Sequence, residues 1–193
     1  MENYIRIYDN VLSDEYCDLL RDKFDSDTKS HDHHNHGPMR FSQININKNW
    51  EQHVKPLTDI MSKYVQQYKH DCKIVEHQWP DYFAWEELRL KRYLPNGKDE
   101  FLPHVDAVNR NSSIRFLAFF IYLDNNEEGG TDFPQIGATS PCKKGSILMF
   151  PPLWTYLHAG LKPVKKPKYI LGSYLHFTTN EDTRPLWKRD WSK

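Results

Sequence analysis

Residues 4–9 (YIRIYD) alternate apolar and polar side chains, the period-two signature of a short strand with one face buried. Asn10 and Ser13 then offer caps, and 14–24 repeats apolar residues at helical spacing, with Tyr16, Cys17, Leu19, Leu20 and Phe24 expected inward. Residues 25–38 (DSDTKSHDHHNHGP) carry almost no apolar side chain and close on Gly-Pro, which reads as a loop. A strand is expected over 41–46. A second helix is expected over 49–67, where Trp50, Val54, Leu57, Ile60, Met61 and Tyr64 recur at helical spacing. From Trp85 onward the texture changes to short β-type runs at 85–93, 113–123, 145–150 and 169–177. Turn signals separate them at Pro95-Asn96-Gly97, at Glu128-Gly129-Gly130 and over 163–167. The run 114–123 is apolar on both faces apart from Arg115, as expected of a central strand. Helices first and many short strands afterwards predict a β-rich α+β fold, a jelly-roll core with N-terminal helices packed against it. The pattern reads as one domain over 1–193. Its helical part covers about 1–80, its core about 81–178, and a polar tail carrying Trp187 and Trp191 covers 179–193.

Composition narrows the function classes. With 26 basic and 26 acidic residues the formal net charge is zero, so no overall field favours nucleic acid or an anionic membrane, and neither is expected as a partner. Aromatic residues reach 14 %, which suits a β-rich core. The cysteines (Cys17, Cys72, Cys142) are odd in number, widely spaced and without a CxxC pair, which argues against a disulfide framework or a structural zinc site. The N-terminal residues form no secretory apolar region, and no apolar run approaches a membrane span. The expectation is a soluble, cytoplasmic protein.

The candidate chemistry lies in His104-Val105-Asp106, answered by His158 and, ten residues later, by Lys168. Two imidazoles and one carboxylate are the ligand set of the facial triad that holds non-haem Fe(II) with open positions. On a strand end, His104 and Asp106 project to the same side because the side-chain period is two. His158 lies far enough along the chain to return from an opposite sheet. Lys168 points to an acidic co-substrate near the metal, although it also stands in a basic stretch with Lys162, Lys165 and Lys166 that suits a surface. Arg115 is the only charge within its apolar run and requires a partner or a polar cavity. No acid–base dyad is present. The histidines of 31–36 (HDHHNH) suit either an opportunistic metal site or, more simply, a solvated mobile loop acting as a lid over a site.

Taken in order, five segments resemble the 2-oxoglutarate/Fe(II)-dependent dioxygenases of the prolyl 4-hydroxylase type. They are Arg92-Tyr93 with His104-Val105-Asp106; the run 115–124; Glu128-Gly129-Gly130-Thr131-Asp132-Phe133-Pro134; Lys144-Gly145 with Leu148-Met149-Phe150; and His158-Ala159-Gly160 with Lys168. The resemblance covers about 85–178, with a weaker echo at 9–13. It implies a double-stranded β-helix core, Fe(II), 2-oxoglutarate as co-substrate, O2, and ascorbate as a further cofactor. His104, Asp106 and His158 match the iron ligands, and Lys168 matches the basic residue that pairs with the distal carboxylate of 2-oxoglutarate. A buried carboxylate without such a partner would be costly to desolvate. Tyr93 matches a tyrosine that donates to the same carboxylate, and equally suits a half-buried strand aromatic. Arg115 and His176 match residues near the peptide substrate or catalytic centre, though His176 by itself also suits a satisfied core histidine. The chain departs from the family pattern in three places. Phe101 stands where many members have tyrosine, Ala118 where a threonine often reaches the co-substrate, and Tyr174 at the core tryptophan, beside the co-substrate. Asp106 in place of Gly or Ala disfavours a halogenase.

The resemblance implies hydroxylation of a prolyl residue in a peptide or protein, with 2-oxoglutarate and O2 converted to succinate and CO2. Apolar walls for that site are expected from Phe116, Phe120, Leu148 and Phe150, which suit core packing equally well. Two alternatives remain: the same chemistry on a free amino acid, another small molecule or an alkylated base, and a catalytically silent jelly-roll that only binds. The intact triad with Lys168 argues against the silent form.

Overall fold

Ser13 caps the first helix, its hydroxyl accepting from the Tyr16 amide at 3.2 Å, and Asp14 and Glu15 fill a first turn where negative charge suits the helix dipole. In this computed structural model, which describes residues 4–179, helix α1 (Asp14–Ser26) buries Cys17, Leu20 and Phe24 at i, i+3 and i+7. Leu19, expected inward, lies one step off that stripe and is 49 % exposed. The second helical segment is not continuous. It breaks into α2 (Ile46–Asn49), one 3-10 turn (Glu51–His53) and α3 (Val54–Asp71). Trp50 makes the break: its backbone leaves the helical region at φ −137°, and its buried indole donates to Asp27 at 2.9 Å. The long helix α3 then buries Leu57, Met61, Val65 and Tyr68.

Among the described residues, twelve antiparallel strands form one curled sheet, a nearly closed jelly-roll. They are β1 (Arg6–Tyr8), β2 (Asp32–His36), β3 (Met39–Asn45), β4 (Phe83–Trp85), β5 (Arg89–Tyr93), β6 (Glu100–His104), β7 (Arg115–Tyr122), β8 (Asn126–Phe133), β9 (Ala138–Cys142), β10 (Ile147–Phe150), β11 (His158–Gly160) and β12 (Lys168–Phe177). The neighbour order is β1-β10-β7-β12-β5-β3-β6-β11-β8-β9, with β2 on β3 and β4 on β12. The central position expected for 114–123 holds, since β7 lies between β10 and β12. Both faces of β7 are apolar because the sheet separates two cores. Leu117, Phe119 and Ile121 pack outward into the cluster formed with the helices, while Ala118 and Tyr122 face the interior of the roll. The same alternation runs along β12, where Tyr169, Leu171 and Leu175 face the helices and Ile170 and Tyr174 face inward.

Four expectations from the sequence differ from the structure. The histidine-rich stretch is not a loop: β2 pairs with β3 in register from Asp32↔Gln43 to His36↔Met39. Glu128-Gly129-Gly130 is not a turn but the middle of β8, and the expected 85–93 strand is split into β4 and β5 around Glu86. Gly129 and Gly130 are required there by close approach. A Cβ at Gly130 would stand 2.4 Å from the Ser140 carbonyl oxygen, and one at Gly129 would stand 2.9 Å from the Lys168 side chain. Phe116 does not wall the interior; it packs edge-on against Trp79 and Phe83 on the helix side. No helix among the described residues is long and apolar enough to cross a membrane. The tail expected over 179–193, with Trp187 and Trp191, lies outside the described residues beyond 179.

Candidate metal centre and active site

His104 ends β6 and His158 begins β11, and the two are register partners across adjacent strands rather than neighbours from opposite sheets. Asp106 follows two residues after the strand end, its amide donating to the Pro152 carbonyl at 3.2 Å. That turn brings Asp106 Oδ1 to 3.5 Å from His104 Nε2 and Oδ2 to 3.4 Å from His158 Nε2. All three ligand atoms lie within 4.8 Å of one another. Each histidine is oriented by a backbone carbonyl: His104 Nδ1 meets Leu102 O at 2.7 Å, and His158 Nδ1 meets Tyr156 O at 3.0 Å. A carbonyl only accepts, so each Nδ1 carries the proton and each Nε2 turns a lone pair toward the carboxylate. Asp106 Oδ2 and His158 Nε2 are buried without a hydrogen-bond partner. Two lone pairs and a carboxylate converging in a buried site repel one another unless a cation lies between them, so the donor set fits a divalent metal ion.

Burial lowers the basicity of His158 and keeps it neutral. At Asp106 burial favours the neutral acid, but positive charge on the His104 and His158 side, which a bound metal ion would supply, and the Lys91 ammonium outweigh it and hold the carboxyl low. Aromatic rings shield the centre. Phe101, the departure from tyrosine, stacks on His104 with centroids 3.4 Å apart, and Phe150 meets His158 edge-on at 4.7 Å.

Lys168 is fully buried on the inward face of β12, opposite Tyr93 in the register. Its ammonium lies 4.5 Å from the Tyr93 ring centre and donates to the Leu161 carbonyl at 2.5 Å. Burial pushes it down to about 8. Tyr93, Thr131 and Gly160 line a small cavity of about 30 Å3 that reaches His104 and His158. The Tyr122 hydroxyl, 2.7 Å from Thr131 Oγ1, adds a polar group behind it. This cavity shares Lys91, Phe101, Phe120 and Gly172 with an outer one of about 320 Å3, which touches Asp106, Arg115 and Tyr174. An open cleft of about 700 Å3 continues outward past Val105, Val108 and Asn109. Of the walls expected from sequence, Phe120 lines both inner cavities and Phe150 backs His158, while Leu148 lies in the interior core.

The partner that Arg115 required is Glu86. Nε and Nη2 donate to its two carboxylate oxygens at 2.7 and 2.8 Å, a bidentate pair. Nη1 donates to the backbone carbonyl of Asp106 at 3.1 Å, and the guanidinium lies 4.2 Å from the Tyr174 ring centre. Arg115 therefore braces the turn that carries Asp106. Tyr174 stands at this end of the site, and its phenol is raised well above its ordinary range by burial and then by the charge of Asp106. Six residues of strand, roughly 20 Å, separate it from Lys168. His176 is fully buried beside Arg115 in the register, with Nδ1 at 2.8 Å from Phe177 O. The histidines of β2 form no metal group with other described residues. His31 meets Phe24 O and His33 meets Ser42 Oγ, while His34 lines the outer cavity. Sequence reasoning missed Glu86 and Lys91. The available signal was parity: Lys91 stands two residues before Tyr93 on β5 and so shares its inward face.

Residues 88–176 match the family described as the 2OG-Fe(II) oxygenase superfamily, a span that includes the triad, Arg115 and Lys168. Among solved structures the chain is similar to the viral collagen prolyl hydroxylase of Paramecium Bursaria Chlorella virus-1 in its 2OG complex. The TM-score is 0.70 at 21 % identity, over 92 % of this chain and 97 % of that one. It is also similar to a Pseudomonas putida prolyl-4-hydroxylase, with TM-score 0.65 at 12 % identity over 92 % and 94 % of the two chains. A Trichoplax adhaerens prolyl hydroxylase, in complex with a hypoxia inducible factor oxygen degradation domain peptide fragment, gives TM-score 0.70 at 14 % identity over 90 % and 84 %. No curated protein matches the chain significantly. At these identities the structures establish the shared fold, and the family match carries the chemistry. Residues 88–176 therefore match the 2OG-Fe(II) oxygenase superfamily, and the chain is an oxidoreductase of the dioxygenase class on the double-stranded β-helix fold shared with prolyl hydroxylases.

Proposed function

We propose that the protein hydroxylates a prolyl residue in a peptide or protein substrate, using 2-oxoglutarate and O2. The observation that carries this reading is the convergence of two imidazole lone pairs and the Asp106 carboxylate in a buried, aromatic-shielded pocket, with a second buried cation at Lys168 nearby. In this assignment His104, Asp106 and His158 hold Fe(II). Lys168 and Tyr93 hold the distal carboxylate of 2-oxoglutarate, the ammonium passing from the Leu161 carbonyl to the stronger charged acceptor. Bound Fe(II) with 2-oxoglutarate and O2 supplies the oxidant for inserting oxygen into a C–H bond, with succinate and CO2 as co-products. The chain's own share is to place that C–H bond and exclude water. Phe101, Phe120 and Phe150 exclude water, Arg115 and Tyr174 fix the Asp106 end, and His176 backs Arg115 from the adjacent strand.

The open cleft beside His104 and Asp106 suits an extended peptide. The Trichoplax neighbour was solved with a peptide fragment, which supports a peptide here by likeness of fold. One domain over 1–193, a cytoplasmic location and stimulation by ascorbate complete the proposal; the zero net charge supports a partner that is not nucleic acid. The test is to incubate the protein with Fe(II), 2-oxoglutarate, ascorbate and proline-containing peptides, and read masses. A prolyl residue gaining the mass of one oxygen, with the gain lost in His104→Ala, is the expected result. Oxygenation of free amino acids but of no peptide would overturn the substrate assignment while leaving the reaction class.

A further inference from the structure

Apart from Lys168, assigned above to 2-oxoglutarate, the charged side chains around the candidate metal centre pair off with one exception. Arg115 is matched by Glu86 and Arg89 by Glu87, each pair within 2.7 Å. Lys91 is not matched. It stands between Arg89 and Tyr93 on the inward face of β5, its ammonium 4.9 and 5.5 Å from the ring centres of Phe41 and Phe101. No carboxylate lies within ion-pair distance of it among the described residues. His34, packed on Phe41 at 5.0 Å, has both ring nitrogens buried without a hydrogen-bond partner. Both side chains line the outer cavity of about 320 Å3, which also touches Asp106 and Arg115.

On the functional reading above, a divalent ion and Lys168 are cancelled by Asp106 and the two carboxylates of 2-oxoglutarate. Lys91 then adds one positive charge that neither the protein nor the co-substrate neutralises, in a pocket where an uncompensated charge is costly. We propose that the substrate carries a carboxylate, and that Lys91 and His34 bind it in the outer cavity beside the metal centre. The carboxylate has two sources, an acidic side chain next to the target residue or the α-carboxylate of a free or C-terminal residue. The inference rests on the assignment of the triad and of Lys168 to Fe(II) and 2-oxoglutarate.

The experiment uses the full chain loaded with Fe(II) and 2-oxoglutarate without oxygen, titrated calorimetrically with acid and amide pairs. The pairs are L-proline and L-prolinamide, N-acetyl-prolyl-glutamate amide and N-acetyl-prolyl-glutamine amide, and N-acetyl-alanine and N-acetyl-alaninamide. The acid of at least one pair is expected to bind about tenfold or more tightly than its amide, as a charge-assisted hydrogen bond in a shielded pocket gives. That ratio falls toward one in Lys91→Met, which keeps an apolar stem over Phe41 and Phe101, and is largely kept in Lys91→Arg. The pair that shows the ratio identifies the source of the carboxylate. Equal binding of acids and amides, binding of no acid, or a ratio that survives Lys91→Met overturns the inference. So does a loss of 2-oxoglutarate affinity in Lys91→Met, which would move Lys91 to the co-substrate. Tight, charge-blind binding of the prolyl pairs would remove the anion site and leave the prolyl reading. An acid preference confined to the alanyl pair would do the reverse.

Discussion

Lys168 shows how a single buried charge ties stability to ligand. Burial holds its ammonium at about 8, below the ordinary value of 10.5. A lysine with a lowered folded value loses its proton from the folded form first, so above about pH 8 the unfolded chain binds more protons and stability rises with pH. Lys91 carries the same depression, while burial raises the Cys17 and Cys142 thiols to about 11 and about 12, which opposes the slope once the thiols of the unfolded chain ionise. Between about pH 8 and 10 the thermal midpoint of the ligand-free protein is expected to rise more, or fall less, than that of Lys168→Met, which lacks one of the groups favouring the folded form there. An unchanged slope in the variant would show that Lys168 is not buried as a cation. Of such residues, those in ordered motifs were legible in the sequence: His104, Asp106, His158 and Lys168 stand at family spacing. The need of Arg115 for a partner was also legible, as a lone charge in an apolar strand. Its identity was not, because Glu86 lies 29 residues away and meets Arg115 only once β4, β7 and β12 have paired.

Strands whose inward face carries apolar side chains announced themselves, and those that serve the site did not. Strands β7, β10 and β12 appeared as apolar runs because one face meets the helices and the other fills the roll. β6, β8 and β11 are polar or glycine-rich because their inward faces border the site rather than the core. Gly129 and Gly130 therefore imitate a turn while sitting in a paired strand, and the histidines of β2 imitate a loop for the same reason. The Trp50 break was hidden because an indole at helical spacing looks like a core position whether or not the backbone turns there. The pairing of β8 with β9 has a direct check. Gly130→Ala places a methyl group against the Ser140 carbonyl, so it should lower unfolding stability by about 1–3 kcal/mol, read as a shift in the urea midpoint. A shift near zero would mean that Thr131 and Ser140 are not in register there.

The jelly-roll places the site where no single segment could. A turn after β6, the start of β11, the inward faces of β5 and β12, and the Arg115–Glu86 pair converge only when the sheet curls. One side of that sheet is sealed by α1 and α3, which leaves the other free to hold polar groups at low water activity. The candidate metal centre is thus a property of the whole roll, and both histidine rings are turned toward Asp106 by backbone carbonyls. Such preorganisation predicts that Fe(II) and 2-oxoglutarate bind together without refolding. The decisive measurement is the visible absorption of the protein mixed with Fe(II) and 2-oxoglutarate in the absence of oxygen. A metal-to-ligand charge-transfer band should appear, fade when oxygen is admitted as succinate forms, and be missing in His158→Ala. A folded wild-type protein that shows neither the band nor succinate would contradict the assignment of this site to Fe(II) and 2-oxoglutarate.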